Sequence, residues 1–97
     1  MKPADALIAA LRMEMPALQA EWPIRSLALF GSRARGDAAQ DSDLDILVDF
    51  ASPVSLSSYL ALEDRLTAIT GLPIDLVSAA ALKPHISARV RAEALPL

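Results

Sequence analysis

The sequence predicts an α/β (α+β) domain, a small mixed sheet of about three strands flanked by helices. Three observations carry this prediction. Apolar residues recur at helical spacing near the N terminus and again over residues 55–70. Residues 26–30 and 44–50 read as strands, and 74–77 is a short apolar run with one acid in it. The resulting order, α, α, β, turn, β, α, β, α, suits a two- or three-layer arrangement around one sheet.

Taken in order, Leu7, Ile8, Leu11 and Met15 form the apolar face of a first helix over residues 4–14, with Asp5 at the positive end of its dipole. Pro16 is expected to end that helix, because the residue before a proline avoids the α region, and to open a second short one over 16–21. Pro23 leads into the first strand. Gly31 follows, then a short turn or helix over 32–35 stopped by Gly36, then the polar loop DAAQDS and the second strand. Over 55–70, Leu56, Tyr59, Leu60, Leu62, Leu66 and Ile69 fit an amphipathic helix, with Ser55 or Ser57 as N-cap and Gly71 ending it. Residues 79–95 close the chain as helix, in one piece or two around Pro84, with Leu82, Ile86, Val90 and Leu95 facing inward.

With 97 residues the chain is expected to be one domain, 1–97. Its apolar fraction of 54% is above the usual range, while aromatics make up only 4%, so small aliphatic residues must fill the core and some apolar surface is left for a partner. The net charge of −3 and the lack of a basic block argue against a long nucleic acid as the main ligand. The absence of Cys excludes disulfides, thiolate metal sites and a Cys nucleophile. Asp5, Arg12 and Glu14 interrupt the N-terminal apolar stretch, so neither a signal peptide nor a membrane span is expected, and the chain reads as cytoplasmic.

The chemistry concentrates in GSRARGDAAQDSDLDILVDF, residues 31–50. In a strand, Leu44, Ile46, Val48 and Phe50 take one face, so Asp43 and Asp45 point together from the other. Two adjacent carboxylates repel, and a hard divalent cation, Mg²⁺ or Mn²⁺, suits such an all-oxygen pair. Gly31 and Ser32 leave a strand for a helical turn, where a glycine admits close backbone approach and free N–H groups bind phosphate. Asp75, alone in IDLV, is a candidate third carboxylate, as a two-metal site with ions about 3.5–4 Å apart requires. Asp49 shares the Asp45 face but lies about 13 Å along the strand and reads as solvated. Trp22 and Tyr59 read as packing residues, and His85 as a surface or capping residue. Asp37 and Asp41 are loop acids with no assigned task.

Gly31-Ser32, ten residues, then Asp43-Leu44-Asp45 resembles the signature of the polymerase β-like nucleotidyltransferases. GSRARG followed by SDLDILVDF, then PVSL, IDLV and ALKPHI, resembles the minimal nucleotidyltransferase (MNT) domain, the antitoxin half of HEPN/MNT toxin–antitoxin pairs, over nearly the whole chain. The resemblance implies a polymerase β-like fold with Asp43, Asp45 and Asp75 as metal ligands and catalytic carboxylates. It also implies Gly31 and Ser32 on the β and γ phosphates of ATP, and Arg33 or Arg35, with Arg35 favoured, on the triphosphate or the partner. The implied reaction is Mg²⁺-dependent transfer of AMP, with two ions, to a tyrosine of a cognate HEPN ribonuclease toxin, which silences it. A hetero-oligomer with the toxin follows, with self-association as a further state. Two alternatives compete: an antitoxin that neutralises by binding alone, and adenylyl transfer to a small molecule or RNA. The exposed sides of the 55–70 helix or the C-terminal helix are expected to form the interface.

Overall fold

The structure is a computed structural model and describes residues 4–31 and 43–97. Among them the order is α1 (Ala4–Glu21), β1 (Ile24–Phe30), β2 (Leu44–Phe50), α2 (Leu56–Thr70), β3 (Ile74–Ser78), a 3₁₀ turn (Ala79–Ala81), α3 (Pro84–Glu93) and β4 (Leu95–Pro96). The strands make one mixed sheet in the order β3-β2-β1-β4. β1 is antiparallel to both β2 and β4, and β2 is parallel to β3. The α/β class is as the sequence predicts, but the sheet has four strands among the described residues. Leu95, expected in the last helix, belongs to the fourth.

Alternation in β1 and β2 builds the core. Leu27 and Leu29 pair with Val48 and Ile46 across the ladder, and all four are buried together with Leu44 and Leu76. Leu7, Leu11 and Leu18 of α1 and Leu62 and Leu66 of α2 cover that face. The opposite face meets the 3₁₀ turn and α3, and Leu47 is buried there. The aspartates of β2 therefore lie on the face away from the α1/α2 layer.

α1 is one continuous helix with Pro16 inside it, where the sequence suggested a break. A proline forfeits one backbone bond and crowds the preceding turn. Here Leu18 continues the buried stripe of Leu7 and Leu11 beyond the proline, and Pro16 itself is exposed, so packing of the whole face outweighs the local preference. Trp22 anchors the far end: its ring is buried and its Nε1 donates to the Ser58 carbonyl at 2.9 Å. Arg65 and Glu21 tie the same two helices at the surface, 2.7 Å apart.

α2 begins with Ser55 as N-cap, whose hydroxyl accepts from the Ser58 N–H at 3.1 Å, and ends at Gly71, whose φ of 72° is left-handed. Thr70 is fully buried before it, its hydroxyl donating to the Leu66 carbonyl at 2.9 Å. Leu56 and Leu60, expected on the inner face, are 73% and 47% exposed. The helical period places Tyr59, Leu62, Leu66 and Ile69 in one stripe and leaves both leucines beside it. α3 starts at Pro84, an N1 proline, and buries no residue; Ile86, expected to face inward, is 41% exposed. Leu82, Val90 and Leu95 are half-buried.

Asp49, expected to be solvated, instead faces Arg25, with Oδ2 3.6 Å from a guanidinium nitrogen. The β1–β2 register shifts between Ile24 and Ser26, so Arg25 is the extra residue of a bulge beside Asp49. At the outer edge of the sheet, the Tyr59 hydroxyl donates to the Leu76 carbonyl. Among the described residues, no helix is long and apolar enough to cross a membrane.

Leu66→Ala is expected to cost about 2–5 kcal/mol by opening a cavity under the sheet, whereas Leu56→Ala should stay within about 0.5 kcal/mol of the parent. Urea unfolding of the two variants checks the contrast.

Candidate active site

The acids are brought together by strand pairing. Asp45 pairs with Phe30 on its antiparallel side and with Asp75 on its parallel side. Residues in register on neighbouring strands carry side chains on the same face, about 5 Å apart at Cβ. Asp45 and Asp75 are thus neighbours although 30 residues separate them. Asp43 lies two residues before Asp45, just outside β2. Asp45 is half-buried, and Asp43 and Asp75 are exposed.

Gly31 follows directly on β1 with a φ of 76°. The sequence reading reserves the space over this glycine for a ligand. In the structure the chain's own Asp45 carboxylate stands there, because a Cβ on Gly31 would meet Asp45 Oδ2 at 2.0 Å. Ser32, Arg33 and Arg35, expected to hold nucleotide, lie outside the described residues, as do the loop acids Asp37 and Asp41.

Asp43, Asp45 and Asp75 are hard oxygen donors, which fits Mg²⁺ or Mn²⁺ in donor type. Among the described residues no three Asp, Glu, His or Cys side chains stand as a ready-made metal cluster. The strands supply the donors at adjacent positions, and closing them on an ion requires their rotamers to adjust.

Tyr59 is the neighbour that sequence reasoning missed. Burial pushes its hydroxyl above the ordinary value of 10.0, and the charges of Glu63 and then Asp75 push it further. The ring also meets Phe50, with centroids 6.2 Å apart. No local pattern links residue 59 to residue 75; only the return of the chain from α2 into β3 does so. A cavity of about 530 Å³ opens beyond it, between the start of α2 and the end of β3, lined by Val54, Leu56, Tyr59, Leu76, Val77 and Ala81 among others. None of Asp43, Asp45 and Asp75 lines this apolar space. His85 is exposed in the first turn of α3.

The strand-ending Gly31 thus stands against the Asp45 carboxylate, with Asp75 in register beside it. Residues 15–95 match the nucleotidyltransferase domain family, and the chain belongs to that family of enzymes. The protein adenylyltransferase MntA of Thermococcus cleftensis is 43% identical over 76 residues, which are 78% of this chain and 77% of that protein. A solved structure provisionally described as a minimal nucleotidyltransferase superposes with a TM-score of 0.83 at 33% identity, covering 99% of this chain and 97% of that one. The fold also recurs, at a TM-score of 0.60 and 20% identity, in a complex of a tri-AMPylated HEPN toxin with MNT antitoxin from Shewanella oneidensis, over 96% of this chain and 66% of that one.

Because the folded state holds the Tyr59 proton more tightly than the unfolded chain, its contribution to stability is complete below the ordinary tyrosine pKa. It is lost as pH rises through the higher folded value. Tyr59 is the only tyrosine, so phenolate absorbance reports on it alone. Asp75→Asn is expected to lower the titration midpoint by removing a nearby negative charge, and Asp64→Asn to leave it unchanged. An unmoved midpoint in Asp75→Asn would show that the carboxylate does not face the ring.

Proposed function

We propose that residues 1–97 form a single minimal nucleotidyltransferase domain that transfers AMP from ATP to a tyrosine of a cognate HEPN ribonuclease toxin, and so acts in the cytoplasm as its antitoxin. The observation that carries this reading is the registered pair Asp45 and Asp75 beside Gly31, in a chain 43% identical to a named protein adenylyltransferase. The complexes that share its fold add the partner class, since one of them holds a HEPN toxin already tri-AMPylated.

In this reading Asp43, Asp45 and Asp75 hold Mg²⁺, with two ions in the full site and Mn²⁺ as a substitute. Bound there, the metal would supply charge neutralisation and Lewis acidity as the acceptor oxygen displaces pyrophosphate from the α phosphorus of ATP. Gly31 and Ser32 bind the β and γ phosphates, Ser32 through its backbone and hydroxyl. Arg33 or Arg35 balances the triphosphate charge or reaches the partner. Asp75 is a ligand of the ion on the acceptor's side and helps take up the acceptor's proton. The acceptor is a protein side chain that brings its own surface, which suits a chain with a net charge of −3 and no basic block. Leu56 and Leu60 on α2 and Ile86 on α3 are exposed apolar residues, and they form the surface for the toxin or for self-association.

The test is mass spectrometry of the adjacent-gene product after incubation with this protein, ATP and Mg²⁺. The expected result is a gain of one or more AMP units on a tyrosine with the parent chain and none with the Asp43→Ala, Asp45→Ala double variant. Inhibition of the partner without a gain in mass would replace transfer by simple occlusion.

A further inference from the structure

Gly31 meets two separate demands. Its φ of 76° is a left-handed conformation that glycine adopts freely, asparagine fairly often and alanine rarely. Independently of φ, a Cβ at this position would stand 2.0 Å from Oδ2, 3.0 Å from Cγ and 3.2 Å from Cβ of Asp45. Non-bonded heavy atoms settle at about 3.5–4.0 Å, so the nearest of these contacts is impossible without movement. Oδ2 is the end of a flexible side chain and can swing aside, but Cβ of Asp45 is fixed by a central strand paired to Phe30 on one side and to Asp75 on the other. A side chain at position 31 must therefore swing the carboxylate out of its rotamer or force the end of β1 away from β2.

We propose that Gly31 is a positioning residue for Asp45, and that its missing Cβ, more than its backbone conformation, leaves open the space the carboxylate needs in order to take a divalent cation. This rests on the reading of Asp45 as a cation ligand. It gives the glycine a task other than close approach to a triphosphate: the space over its Cα is reserved for the protein's own acid. Disturbing the orientation of a metal ligand commonly weakens metal binding by about 10- to 100-fold.

Two substitutions separate the demands. Gly31→Asn accepts a left-handed backbone but carries a Cβ, and Gly31→Ala fails on both counts. Mn²⁺ binding to the whole chain, followed by electron paramagnetic resonance, is expected to weaken about 10- to 100-fold in both variants. Thermal unfolding without metal supplies a second readout. The loss of Tm caused by Gly31→Asn should shrink by half or more when Asp45 is already alanine, since only the 3.2 Å contact then remains. The inference is overturned if Gly31→Asn binds Mn²⁺ as the parent does, or if its loss of Tm is the same in both backgrounds. The Asn variant carries the test if Gly31→Ala does not fold. A parent chain that takes up no Mn²⁺ defeats the cation reading of Asp45 together with this inference. A parent that binds Mn²⁺ but transfers no AMP defeats only the proposed activity.

Discussion

Burial of Leu44, Ile46 and Val48 under α1 and α2 is the constraint on which the remaining geometry depends. A strand with one face so committed cannot slip by a single residue, since that would put the whole apolar set on the other side. The same commitment aims Asp45 away from α1 and α2. Pairing to β1 places Phe30 and then Gly31 beside it, and parallel pairing to β3 places Asp75 beside it. A hydrophobic decision, made on one side of the sheet, thus fixes a polar arrangement on the other.

That coupling explains which parts were legible in the sequence. The second strand, its bounds and its buried set could be read because a period of two is local and strong. Gly71 could be read as the end of α2, and the N-cap as Ser55 or Ser57, because such residues mark their places by their own chemistry; the structure selects Ser55. Pro16 could not, because the cost of a proline in a helix is local whereas the gain from a continuous Leu7, Leu11, Leu18 stripe appears only once the sheet is present. The fourth strand was hidden because two residues, Leu95 and Pro96, carry no period at all; they pair because α3 delivers them to β1.

The candidate site was legible in its composition and less so in its contacts. Asp43 and Asp45 are visible as a spaced pair, and Asp75 as an acid out of place in an apolar run. That the space over Gly31 belongs to Asp45 depends on strand register, and the influence of Asp75 on Tyr59 depends on how α2 returns to the sheet. Asp49 shows the converse case: distance along the strand removed it from the acidic pair, but the bulge that offers it Arg25 has no sequence mark.

The Tyr59 hydroxyl has a consequence at the margin of the sheet. The Leu44 N–H donates to the Pro73 carbonyl, so in the parallel ladder the odd-numbered residues of β3 face β2 and Leu76 faces outward. An outward carbonyl is the handhold by which a foreign strand would add itself to a sheet. Tyr59 occupies that handhold from within the chain. At the opposite margin, β4 is only two residues long and includes a proline. Both ends of the sheet are thus poor templates for further strands, a safeguard against edge-to-edge aggregation in a chain rich in aliphatic residues.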